Sequence, residues 1–145
     1  KLRHSSASER LEYKSELNIS NYAKYSDLRY TKPESYSLGS RKFKEGGTWS
    51  ELFVVLVELY SKTFVLAEGN LSFIDSGDRK LLVKEVSESN DEIKLRKKLK
   101  NSLWLLTNFD SKRLCHFCFA LAKELNLRLV IKIRPTKSRL ENKLL

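Results

Sequence analysis

The clearest run of hydrophobic positions opens at Trp49. Trp49, Leu52, Phe53, Leu56, Leu59 and Tyr60 recur at the spacing of one helical face. Thr48 stands before them as an N-cap, and Glu51 three residues on completes a capping box. The pattern predicts a helix from Thr48 to about Lys62. Val54, Val55 and Val57 widen its stripe until it nearly surrounds the helix, which predicts burial on most sides. A second helix is predicted over about Ser111–Asn126. Asp110 caps it, Leu114, Phe117, Cys118, Leu121, Ala122 and Leu125 form its stripe, and Asn126 is its stop.

Other segments carry the two-residue period of strands. Leu127, Leu129, Ile131 and Ile133 fall on one face, against Arg128, Val130, Lys132 and Arg134 on the other. This reads as a half-buried strand with a basic outer face, ended by Pro135. Leu103–Leu106 reads as a buried strand. Tyr36–Phe43 reads as a small hairpin with Gly39–Ser40 as a type II′ turn, in which glycine supplies the positive φ. Leu71–Ile74 and Lys80–Val86 read as a second hairpin around Asp75–Asp78. Glu92–Lys100 is a charged run, either surface helix or loop. The order predicts an α+β fold, a mostly antiparallel sheet with two main helices packed on one face. As an alternative, Leu103–Leu106, the second helix and the last strand form a right-handed βαβ unit. Residues 1–35 are polar and tyrosine-rich, an expected N-terminal arm or linker whose boundary is Lys32–Pro33. Residues 36–145 are then one domain.

Composition adds a bias in charge. The chain has 145 residues and a net charge of +10. The excess is uneven: net +4 over residues 1–50, −3 over 51–90 and +9 over 91–145. Such a balance favours polyanionic partners. The longest apolar stretch, Leu52–Val57, runs directly into Glu58, far short of the roughly 18 residues of a membrane helix. Two cysteines are too few for a secreted disulfide framework, so a cytoplasmic protein without membrane association is expected. The chain starts at Lys1 and contains no Met, which reads as a piece of a longer protein.

Candidate chemistry is sparse. Cys115 and Cys118 form a CxxC, but no second Cys pair accompanies them, and the only other His besides His116 is His4. Cys118 falls on the apolar stripe, so the pair reads as core thiols rather than a zinc or redox site. No phosphate-binding glycine loop, nucleophile elbow or metalloprotease helix occurs. No catalytic residue, metal or cofactor is assigned, and the chain is read as a non-enzyme.

Two stretches resemble a family. Tyr36–Phe43 followed by Thr48–Trp49–Ser50–Glu51–Leu52–Phe53–Val54 is one. Trp104–Leu105–Leu106–Thr107–Asn108, with the helix after Asp110 and the strand Leu127–Ile133, is the other. Together they resemble a small C-terminal accessory domain of bacterial restriction- or defence-type multidomain proteins. The resemblance implies a bacterial cytoplasmic module and carries no catalytic residue across.

The basic residues then define the expected site. Lys94, Arg96, Lys97, Lys98 and Lys100 make a dense run, Arg128, Lys132 and Arg134 lie on one strand face, and Arg41 and Lys42 extend the set from the first hairpin. Phosphate neutralisation by these side chains is expected to give nucleic-acid binding of low sequence specificity, DNA before RNA. The alternative is a protein-interaction or self-association module, in which the tyrosines and the apolar central helix supply the interface. One contiguous basic face favours the first reading. Dispersed charge with an exposed apolar patch favours the second.

Overall fold

The computed structural model describes residues 15–25, 27–40, 42–87 and 92–136. The element order is β1 (Glu16–Leu17), a 3-10 turn (Tyr22–Lys24), β2 (Thr31–Leu38), β3 (Lys44–Glu45), α1 (Trp49–Thr63), β4 (Leu82–Val83), the single-turn helix α2 (Glu92–Leu95), β5 (Arg96–Lys98), β6 (Trp104–Leu106), α3 (Ser111–Glu124) and β7 (Leu129–Pro135). This is an α+β fold, and every strand pair in it is antiparallel. The pairing is divided between two sheets, in the order β1-β7-β2-β3 and β4-β6-β5. β6 and β7 lie in different sheets, so the alternative βαβ unit does not form. No described helix is long and apolar enough to cross a membrane.

Both main helices start where their caps stand. In α1 the Glu51 N–H donates to Thr48 Oγ1 at 3.1 Å, and the Glu51 carboxylate accepts from the Thr48 N–H at 2.9 Å. These bonds satisfy donors that a helix start leaves without partners. In α3, Asp110 accepts from the Arg113 N–H. Its far end is a Schellman turn: Asn126 takes φ +57°, its N–H donates to Lys123 O, and the Leu127 N–H donates to Ala122 O. The two helices pack on each other, and their buried side chains share one core with both sheets.

β7 follows its alternation. Leu129, Ile131 and Ile133 are buried, while Lys132 and Arg134 face solvent. It lies in the sheet interior, paired on both sides, so its basic residues do not guard an open edge. Parts of the stretch read as an arm are built into this sheet: β1 pairs with β7, residues 31–35 belong to β2, and Leu17 and Leu28 are core residues. Lys32–Pro33 falls inside β2, where the register shifts between Pro33 and Ser35, a bulge that suits a residue without an N–H. Thr31 also accepts a hydrogen bond from the Trp49 indole at 3.3 Å, which ties α1 to β2.

Both expected hairpins are redrawn. β2 and β3 meet at Ser35–Glu45 and Tyr36–Lys44, so the connection is longer than two residues. Gly39 has the positive φ, +71°, but its N–H donates to Arg128 O, and Ser37 and Leu38 pair with β7 instead. Gly46 lies so close to β2 that a Cβ there would fall 2.0 Å from Pro33 O. In the second case Leu71–Ile74 is not a strand. The chain closes at Gly69–Leu82, which exchange backbone hydrogen bonds of 2.8 and 2.9 Å, and beside them Asn70 Oδ1 accepts from the Leu81 N–H at 2.8 Å and from Ser76 Oγ at 3.2 Å. A single bridge backed by a side-chain staple stands in place of the two-strand ladder.

Candidate functional site

The valines that widen the stripe of α1 are not all buried. Leu52, Phe53, Leu56 and Val57 fill the core, whereas Val55 is 43% exposed and Val54 and Leu59 are half-buried. The expected all-round burial is corrected here: one side of α1 is left as the wall of a groove. The opposite wall comes from β2, β3 and the loop between them, and Leu127 from the end of α3 adds to it. The groove encloses about 940 Å³. Val54, Val55, Leu59, Leu38 and Leu127 form its apolar lining, and Lys42, Lys44, Lys62 and Lys100 stand around them. All four lysines are exposed, and none makes an ion pair among the described residues. The one carboxylate among the described residues of the groove, Glu58, accepts from the Lys100 N–H at 3.0 Å. The arrangement is an aliphatic trough with a net positive rim.

Of the residues expected from the sequence, Lys42 and Lys100 meet on this rim although 58 positions separate them. Lys44 and Lys62 complete it. Lys62 carried no sequence signal, since it is a lone cation at the end of a helix.

The rest of the set goes elsewhere. Arg96 is a correction, because it does not face a partner. It is buried, and its guanidinium donates to Lys80 O at 2.8 Å, Leu81 O at 3.1 Å and Trp104 O at 3.4 Å while pairing with Glu92. A planar fork of donors suits several carbonyls at once, and burying an arginine without such partners is costly. Lys97 and Lys98 are exposed on β5, the edge of the second sheet, with Lys98 Nζ 5.9 Å from the centre of the Trp104 ring. Lys94 is exposed on the α2 turn. Arg128, Lys132 and Arg134 lie on the outer side of the first sheet. Acids stand among them: Lys132 is in register with Glu16, and Arg134 Nε is 3.7 Å from Glu34. Lys132 Nζ also sits 4.1 Å from the centre of the Phe43 ring. Arg41 lies outside the described residues, as do His4 and the basic tail positions Lys137 and Arg139.

A second cavity, about 580 Å³, opens beside the start of α3. There Tyr22 and His116 share a hydrogen bond of 2.8 Å between the phenol oxygen and Nδ1, and Tyr22 stacks on Phe119 at 4.4 Å. Arg113 reaches across to donate to Asp75 O at 2.7 Å. Cys115 and Cys118 are both buried free thiols, as the stripe implied. Burial pushes the Cys115 thiol up to about 12, and burial followed by the charge of Cys115 raises Cys118 well above its ordinary range. Neither sulfur is a thiolate near neutral pH, which is the form that attacks or binds metal. Burial, and then the neighbouring Cys115, also raises the Tyr22 phenol.

The two cavities differ in what they offer a ligand. The smaller is crossed by bonds within the protein, whereas the groove presents unpaired ammonium groups over aliphatic carbon. Comparison with protein-family models, curated proteins and solved structures finds no match to this chain.

Proposed function

We propose that this chain is a non-catalytic protein-interaction module, a cytoplasmic accessory part of a larger bacterial protein, which binds its partner in the groove beside α1. The observation that carries this reading is the exposure of Val55 and Leu127 in an aliphatic-lined groove of about 940 Å³. A concave site lined by apolar side chains with charged groups around them suits a binding patch. The dispersion of the other cations over separate elements, one of them buried, argues in the same direction. Two buried free thiols fit a reducing compartment.

A photo-crosslinking amino acid placed at Val55 tests it. The expected result is a discrete protein adduct, identifiable by mass spectrometry, lost when Lys42 and Lys62 are both changed to Glu and not seen from the exposed control position Glu85. Nucleic-acid adducts in its place, or equal labelling from Glu85, overturn the reading.

Low-specificity nucleic-acid binding, DNA before RNA, is the second reading. Lys97 and Lys98, exposed on β5 close in the chain to Lys100 on the rim, favour it. A steep fall of oligonucleotide affinity with salt that is unchanged in Val55→Asp would replace the first reading with this one.

A further inference from the structure

We infer that the occupant of the groove is an amphipathic helix with apolar residues along one face and Glu or Asp flanking them. This inference rests on the protein-interaction reading above and names the partner's chemistry.

The length of the site comes first. Along α1 the groove runs from Val54 to Lys62, nine residues whose eight steps rise about 12 Å. That matches about two turns of a helix laid alongside, enough for anchors at i, i+3 or i+4 and i+7.

The backbone chemistry comes second. An extended peptide binds by adding hydrogen bonds to a free strand edge. Of the two strands that line the groove, β2 is paired to β7 and β3, and the edge strand β3 has two residues and offers too short an edge. Affinity therefore has to come from burying side chains, and the floor is aliphatic: Val54, Val55, Leu59, Leu38 and Leu127. A helix satisfies its own backbone while presenting such side chains. Nucleobases stack instead on aromatic faces, and the only aromatic side chain lining the groove among the described residues, Tyr36, is 8% exposed.

Charge complementarity comes third. Lys42 and Lys44 come from the β2–β3 segment, Lys62 from α1 and Lys100 from the turn between β5 and β6. Cations from three separate segments thus line the groove, with Glu58 held against the Lys100 backbone as the single acid among the described lining residues. A partner helix has carboxylates at the margins of its apolar face to meet them. A second copy of this chain offers instead the same lysine rim, which repels its own kind.

The experiment uses the 145-residue chain and fluorescent peptides of about 15 residues, the length at which an isolated helix begins to hold. One peptide carries a leucine stripe flanked by Glu, a second the same stripe flanked by Lys, and a third the Glu content with the leucines scrambled. A single-stranded DNA of equal length is the polyanion control. The expected result is saturable binding of the first peptide alone, with a gain of helical circular dichroism. Val55→Asp weakens it about tenfold or more. The double change Lys42→Glu and Lys62→Glu abolishes it and admits the Lys-flanked peptide. Thermal melts accompany each variant, and the charge swap reads binding through a gain that unfolding does not produce. Equal binding of the scrambled peptide or the DNA overturns the inference, and so does indifference to both variants. A dimer in sedimentation that Val55→Asp dissolves overturns it in favour of a second copy. If crosslinking at Val55 still yields a protein adduct while no peptide binds, the protein-interaction reading stands and the helical acidic partner falls. If both fail, both fall.

Discussion

The two sheets of this protein are held together in different ways. The four-stranded sheet is a ladder. Its seven-residue strand β7 pairs with β2 along its length and with β1 at Ile131 and Lys132, and its inner residues Leu129, Ile131 and Ile133 are each at most 3% exposed. The three-stranded sheet is made of two- and three-residue strands, which carry too few backbone bonds to stand by themselves. Side chains complete it. Arg96 gathers the carbonyls of Lys80, Leu81 and Trp104, Asn70 holds Leu81 and Ser76, and Glu68 accepts from the Lys84 N–H at 3.1 Å. Where strands are long, stability is spread over many equivalent positions. Where they are short, it is concentrated in a few polar side chains. The region carrying the densest basic run thus spends its one buried arginine on the fold.

The contrast can be broken at Arg96. Arg96→Met should cost about 4 kcal/mol in denaturant unfolding, because it removes the Arg96–Glu92 pair and takes one donor from each of three backbone carbonyls. Arg96→Lys should recover less than half, since an ammonium lacks the planar fork. A neutral Arg96→Met would show that the short sheet does not depend on its staple.

In the long sheet, Ile131→Ala should cost about 3 kcal/mol, the usual range for a buried aliphatic truncation. Because Ile131 makes no polar bond through its side chain, Ile131→Val should restore most of that loss. Failure of the valine to do so would mean that the ladder is as specific as the staple.

Asn70→Ala should cost about 2 kcal/mol, and the loss should be local. Amide exchange ought to quicken through residues 70–82 while β7 stays protected. Uniform quickening would erase the distinction between the two sheets.

The smallest effect belongs to α3, which contributes to the core shared by both sheets. The thiols of Cys115 and Cys118 are raised in the folded protein, so the folded state holds their protons more tightly than the unfolded chain does. That contribution is fully present below the unfolded value of 9.0 and is lost as pH climbs toward about 12. Over the first pH unit above 9.0, stability should fall by up to about 1.4 kcal/mol through Cys115. Cys115→Ala should flatten the slope, measured by denaturant unfolding at successive pH values.

Much of the ladder was legible in the amino-acid order. The alternation of β7 told which residues face in, and Thr48, Glu51, Asp110 and Asn126 marked the ends of the helices. The stapled sheet was not. Asp75–Ser76–Gly77–Asp78 has the composition of a tight turn between strands, yet Asn70 closes a wider loop there. In the candidate site, Lys42 and Lys100 were visible as members of basic runs, but nothing local distinguished them from Arg96. The apolar excess of Val54 and Val55 on α1 was the signal that could have exposed the groove. It was equally consistent with burial on every side, and the difference depends on what packs against α1.

The sequence by itself determined the two main helices, their caps, the in–out pattern of β7, the core placement of the cysteines and the α+β class. These depend on periodicity and on bonds between residues a few positions apart, which is information every short window contains. Tertiary structure alone decided that the strands divide into two sheets and that Glu16–Leu17 and residues 31–35 join one of them. It also decided that Arg96 turns inward and that four lysines from separate segments ring one aliphatic groove. The reason is physical. These outcomes rest on bonds and contacts across long stretches of chain, such as Arg96 to Lys80, Leu81 to Asn70 and Lys100 to Glu58. Each forms only after the rest of the fold has brought its partners within reach.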